Sequence, residues 1–117
     1  MSLEESDAAA AAVQKTPNRV TLDYIRSRIA YEHVYTLDTA GDEARWPNDF
    51  NPWVHTCCAM VLKNGFVVFG HSAPADPENY NAELGAKFAR EDCIRQIWKL
   101  EAYLLREQMM DQGASND

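Results

Sequence analysis

The sequence predicts a small α+β domain built from a helix, a β-hairpin and a long C-terminal helix. Three observations carry this. Apolar residues recur at helical spacing after Thr21. Two β-rich runs meet at Asn64-Gly65, and Asp76-Pro77-Glu78 opens a long amphipathic stretch.

The first helix is predicted from Thr21, a good N-cap, with Val20 placed to staple onto Ile25. Leu22, Ile25 and Ile29 repeat along one face, and Asp23 suits the positive end of the helix dipole. This helix is expected to end near His33 to Tyr35. Residues 38–52 follow as a polar loop with Trp46 and Phe50, and Trp53 stands just after it. Loops of this length are often functional, and exposed aromatics in one would form a contact surface. The alternative is that they fold back over the core.

The hairpin is predicted from Val54–Lys63 and Phe66–Ser72. Asn-Gly is the strongest short hairpin signal, because a type I′ turn needs positive φ at both central residues. A two-residue loop sets Lys63 opposite Phe66, Met60 opposite Phe69 and Cys58 opposite His71. One face then carries Val54, Cys58, Met60, Leu62, Val67, Phe69 and His71. It is the bulkier face and the expected core. The other carries His55, Cys57, Ala59, Val61, Val68, Gly70 and Ser72.

Asp76 at an N-cap followed by Pro77 marks the start of the last helix. The helix is expected to pause near Asn81 and run to about Met110, with Leu84, Phe88, Ile94, Ile97, Trp98, Leu104 and Leu105 as its apolar stripe. Glu83, Lys87, Glu91 and Arg95 form an i,i+4 ladder of alternating charge. Such a helix outruns a two-stranded hairpin, so the stripe around Trp98 to Leu105 is a candidate subunit interface and a homo-oligomer is expected. Residues 1–18 read as a disordered tail, since Ala8 to Ala12 offer no bulky apolar face. Residues 112–117 read as a second tail, leaving 19–111 as one domain.

The chain has 117 residues and a formal net charge of −7. That acidity argues against non-specific nucleic-acid binding, which relies on Lys and Arg neutralising phosphates. No apolar run approaches the roughly 20 residues of a membrane span. Met1 to Val13 hold acids and alanines where a signal peptide holds basic residues and a leucine-rich stretch, so a cytoplasmic location is expected. Cys57, Cys58 and Cys93 are odd in number and lack CxxC spacing, which suits reduced thiols.

Several stretches follow one another closely: Val61 to Phe66, Ser72-Ala73, Pro77 to Gly85, Ala89-Arg90-Glu91 and Ile97 to Tyr103. This series resembles the phage gene product 49/66 family, small proteins of tailed phages and prophages. Val20 to His33 resembles the family's opening helix more loosely. The N-terminal tail and the Trp46 loop lie outside the resemblance. At His71 the chain departs from the family pattern, where an acid such as Glu is expected. The resemblance implies phage or prophage origin, expression in a bacterial host cytoplasm and an accessory role. It carries no catalytic residue and no reaction.

Candidate chemistry is sparse. Cys58 opposite His71 would make a thiolate–imidazolium pair, although a buried thiol and a hydrogen-bonded His are the ordinary occupants of an apolar face. Among His33, His55, Cys57, Cys58 and His71, only His55 and Cys57 lie two apart on one face of a strand, and no second matched pair follows as a zinc site requires, so no metal or other cofactor is expected. Asp76, Glu78 and Glu83 are explained by a helix start. Arg90, Arg95, Lys99 and Arg106 share the last helix with Trp98 and Tyr103. Arginine reads phosphate bidentately and aromatics stack on bases, so these six are the candidate ligand-binding residues, lining a pocket between subunits if the helix pairs with its symmetry mate, with a solvated, salt-bridged face as the alternative. The expected function is non-enzymatic binding. One form captures a small anionic, nucleotide-type ligand and so counters host defence. The other binds and inhibits a host protein through the acidic surface and Trp46, Phe50 and Trp53. A thiol- or metal-dependent enzyme is the third reading.

Overall fold

The computed structural model describes residues 1–39 and 51–115. Helix α1 spans Leu3–Ala12, α2 Leu22–Ser27 and α3 Ala82–Ser115. Strands β1 (Ile29–Thr36), β2 (Thr56–Leu62) and β3 (Val67–Ser72) form an antiparallel sheet in the order β1-β2-β3. Short 3₁₀ turns occupy Leu37–Thr39, Pro52–Val54 and Pro77–Asn79. The α+β architecture is the expected one, with a third strand added to the hairpin.

That strand corrects the first helix. Thr21 does cap α2, accepting from the Tyr24 N–H at 3.1 Å. The helix stops at Ser27, whose hydroxyl donates to the Tyr24 carbonyl at 2.6 Å. Ile29 to Thr36 is rich in β-branched and aromatic residues, which fit a pleated surface, and β2 supplies the ladder. A bulge between Ile29 and Tyr31 turns the chain into the sheet.

The hairpin is present, but its register is one residue away from the expected one. Gly65 takes a positive φ of 90° and Asn64 does not. The Gly65 N–H donates to the Leu62 carbonyl and the Leu62 N–H to the Phe66 carbonyl, both at 2.8 Å. The loop is therefore Lys63-Asn64-Gly65, a tight turn followed by a glycine bulge. Asn64 supports it by accepting from the Phe66 N–H at 3.0 Å. Cys58 now pairs with Gly70, Cys57 with His71 and Met60 with Val68. A one-residue slip turns a strand over. Val68 and Gly70 face the core, while Val67, Phe69 and His71 face outward. The expected face of β2 is kept, with Cys58, Met60 and Leu62 buried.

Helix α3 begins after Asn81, whose carboxamide accepts from the Leu84 N–H at 3.0 Å. Its buried line is Ala89, Cys93, Ile97 and Glu101, at every fourth position. Leu84, Phe88 and Leu104, expected in the stripe, are about half exposed. The reason is proximity. A Cβ at Gly70 would lie 2.4 Å from the Ala89 carbonyl oxygen and 2.6 Å from the Cys93 nitrogen. Strand β3 and α3 meet almost backbone to backbone, and only small side chains fit between them.

The N-terminal segment is structured, which corrects the expected tail. Ser2 caps α1, accepting from the Glu5 N–H at 3.0 Å, and Leu3 is buried. The attachment is otherwise polar, which a search for bulky apolar residues does not see. Glu4 pairs with Arg26 and Asp7 with Arg19, both at 2.7 Å, and Asp7 also accepts from the Leu22 N–H at 3.2 Å. At the other end α3 continues through Ser115 rather than ending near Met110.

Two tests follow from this packing. Gly70→Ala forces a methyl group into backbone and should cost about 3 kcal/mol of unfolding free energy. Gly85→Ala meets chiefly the Thr56 hydroxyl, which can turn aside, and should cost less; equal losses in denaturant titrations would contradict the close-approach account. The Arg19 guanidinium, with further support from the Leu22 N–H, holds the Asp7 carboxyl below its usual range. The stability this lends is present above the ordinary Asp pKa of about 4 and is lost as pH falls through the depressed value. Amide exchange should therefore show α1 releasing in acid, and Asp7→Asn should remove that transition.

Candidate functional site

One face of the sheet lies under α3, and among the described residues no element covers the other, the open face. The open face is laid out by the pairing in three rows: Tyr31–Val61–Val67, His33–Ala59–Phe69 and Tyr35–Cys57–His71. None of these side chains carries a formal charge at neutral pH with His neutral, in a chain of net charge −7. Phe69 is 57% exposed and Tyr31 67%. His33 and Tyr35 stack with ring centres 5.5 Å apart.

The lower end of this face holds two imidazoles. His55 Nε2 lies 3.2 Å from His71 Nδ1, and the rings stack at 5.0 Å. The expected Cys58–His71 pair is absent because the register sets His71 opposite Cys57. Cys58 is fully buried on the other face, and burial pushes its thiol pKa upward. Cys93 is pushed up to about 12, by burial first and then by Cys58 beside it. Its thiol donates to the Cys58 carbonyl at 3.3 Å and weakly to that of Val68 at 3.7 Å. Cys57 is partly exposed, and burial raises its pKa as well. All three cysteines are free thiols. Among the described residues, no group of three or more His, Cys, Asp and Glu side chains is placed to hold a metal ion.

Within one chain the six candidate ligand-binding residues do not form a single cluster. Arg95 and Lys99 are exposed on α3, as are Tyr103 and Arg106 farther along. Arg90 stands about 140° around the helix from Arg95, where it pairs with Glu32 of β1 at 3.0 Å. The indole of Trp98 is half-buried and donates to the Val20 carbonyl at 3.0 Å, tying the N-terminal segment onto α3. The stretch expected as a subunit interface is thus partly covered by the chain's own N-terminus. Trp98 and Arg106 do come together with Arg19, in a shallow groove that Asn18 and Leu105 also line. Of the aromatic loop, Trp53 packs edge-on against Tyr80 at 5.5 Å and stays 45% exposed. Trp46 and Phe50 lie outside the described residues.

Sequence reasoning missed the open face as a site. The two-residue turn expected at Asn64-Gly65 divides its members between two faces, and the helix expected to run to His33–Tyr35 takes in its β1 side chains. The signal present in the sequence was Tyr31, His33 and Tyr35 at strand alternation.

The model of the phage protein (N4 Gp49/phage Sf6 gene 66) family matches residues 20–109. That span takes in everything from the start of α2 through most of α3 and leaves α1 outside. No curated protein and no solved structure matches the chain.

The burial of the thiols sets an order of reactivity. In the native protein at neutral pH, a maleimide should modify Cys57 first, at least about tenfold faster than Cys58 or Cys93. Cys57→Ser should leave no fast-labelling thiol by mass spectrometry; fast labelling of Cys93 would contradict its place under β3.

Proposed function

The chain belongs to the phage protein (N4 Gp49/phage Sf6 gene 66) family, and from that premise we propose that it is a phage accessory protein that acts by binding a host protein through the open face of its sheet. The observation that carries this reading is the uncharged aromatic and aliphatic composition of that face on an otherwise acidic chain. Contiguous exposed apolar surface on a soluble domain marks interaction sites. Tyr31, Tyr35 and Phe69 are side chains of the kind that anchor interfaces. The acidic surroundings suit a partner with a basic rim, since complementary charge speeds encounter and fixes orientation.

A second reading is the capture of a small anionic, nucleotide-type ligand that carries a host defence signal. It is favoured by the groove where Arg106 and Trp98 meet Arg19. Arg19 is already engaged by Asp7 and by Gln14, at 2.7 Å each, so Arg106 carries the charge available to a ligand there. Arg95 and Lys99 do not line this groove.

Photocrosslinking separates the two. A benzophenone amino acid at Phe69 should yield a discrete protein adduct in infected host cells, and the same group at Tyr103 should not. Tyr31→Glu, on the same face, should abolish the adduct. Equal crosslinking from both positions would remove the face from the mechanism. A nucleotide-sized mass in native mass spectrometry, lost in Arg106→Ala and kept in Arg95→Ala, would replace this reading with the second.

A further inference from the structure

The two edges of the sheet are treated differently. The outer edge of β3 is closed by α3. Its outward backbone groups are taken by helix side chains one turn apart: the His71 N–H donates to Asp92 Oδ2 at 2.9 Å, and Gln96 Nε2 donates to the Phe69 carbonyl at 2.6 Å. Among the described residues nothing covers strand β1 in this way. Helix α3 lies across β3 and β2 and barely reaches β1.

The alternation of the ladder shows which β1 groups are left over. Leu37 donates to the His55 carbonyl at 2.9 Å at one end, and Lys63 donates to the Arg28 carbonyl at 2.9 Å at the other. Stepping by two from Leu37, Tyr35, His33 and Tyr31 use their backbone groups toward β2. Glu32, Val34 and Thr36 therefore direct theirs outward. Among the described residues no backbone group meets them, and the Thr36 carbonyl accepts from the Thr39 hydroxyl at 2.7 Å, which leaves its second lone pair for a neighbouring strand. The run Ala30 to His33 is exposed at every position, whereas central β2 alternates buried and half-buried.

Soluble proteins blunt such an edge with Lys, Pro or an inward charge. From Ile29 to Thr36 there is no Lys and no Pro, the bulge is confined to the start of the strand before Tyr31, and the inward charge of Glu32 is paired with Arg90. We propose that β1 pairs antiparallel with β1 of a second copy of this chain, joining two three-stranded sheets into one continuous sheet across a two-fold axis.

The strand is self-complementary for this pairing. With the axis at Val34, Glu32 faces Thr36 of the second copy, so the acids do not meet. His33 faces Tyr35 of the second copy, extending the stacked pair already present within each chain, and aromatic cross-strand pairs stabilise sheets. The half-buried Val34 gains its own twin as a neighbour. The pairing rests on the strand edge alone and not on what the open face binds.

The test uses the full chain. Light scattering after size exclusion should give twice the 13.2 kDa chain mass, falling to the single-chain mass on dilution. Val34→Pro removes one outward N–H and leaves the β2 ladder intact, so it should be monomeric with an unchanged circular dichroism spectrum. Glu32→Pro makes the same cut at an exposed position if Val34→Pro does not fold. Amide exchange at Val34 should slow at least about tenfold as concentration rises. Phe69→Glu, on the open face at the far strand, should leave the dimer intact. A monomer at every concentration overturns the proposal. So does a dimer that survives both proline variants, a Val34 amide indifferent to concentration, or a dimer dissociated by Phe69→Glu.

Discussion

The near-contact of Gly70 with α3 governs this fold. With the strand backbone against the helix backbone, any side chain at position 70 would wedge them apart, and so would large residues at 89 or 93. The consequences reach outward from there. Gly70 must face inward, so Val67, Phe69 and His71 must face outward, and the bulged turn at Gly65 is the connection that delivers this register. Opposite Gly70 the helix in turn presents Ala89 and Cys93 rather than its bulkiest residues. Leu84, Phe88 and Leu104 are left at the margins. Interiors are close-packed, and here that is achieved by approach instead of by bulk.

Much of the architecture was legible. The Thr21 cap, the hairpin, the pause at Asn81 and the long last helix all follow from local chemistry that the structure retains. What was not legible depended on partners. Ile29 to Thr36 carries residues that suit a strand, but helical spacing at Leu22, Ile25 and Ile29 ran across the boundary, and only β2 decides the outcome. The register turned on whether Asn64 or Gly65 alone adopts positive φ, which the dipeptide does not specify. Ala8 to Ala12 offer no bulky apolar face, and the docking of α1 uses Leu3 together with Glu4 and Asp7, two ordinary surface acids.

The candidate site shows the same division. Sequence could list the cations of α3, but the helical screw and Glu32 separate Arg90 from the others. Trp98, expected in the apolar stripe and as a stacking residue, serves as a tether for Val20. The open face was invisible because it is a property of three strands at once. Its rows exist only after β1 is recognised and β3 is turned over. Charge is segregated accordingly. The ion pairs of the described residues involve the helices and the inner side of β1, as in Arg28–Glu101 at 3.7 Å and Arg90–Glu32, while the open side of the sheet is left to aromatic, aliphatic and imidazole groups.

The closure of β3 by Asp92 and Gln96 also bears on how the chain is made. These two residues belong to α3, which follows the sheet in chain order. As a nascent chain leaves the ribosome, β3 and its hairpin partner emerge with one face and one edge bare, and neither is sheltered until the helix has been synthesised beyond them. Cys93, between the two capping side chains, enters the core in the same step. The hairpin therefore depends on a later segment for protection. The interval before α3 arrives is when this chain is most exposed to wrong pairing, and to the chaperones that recognise bare strands.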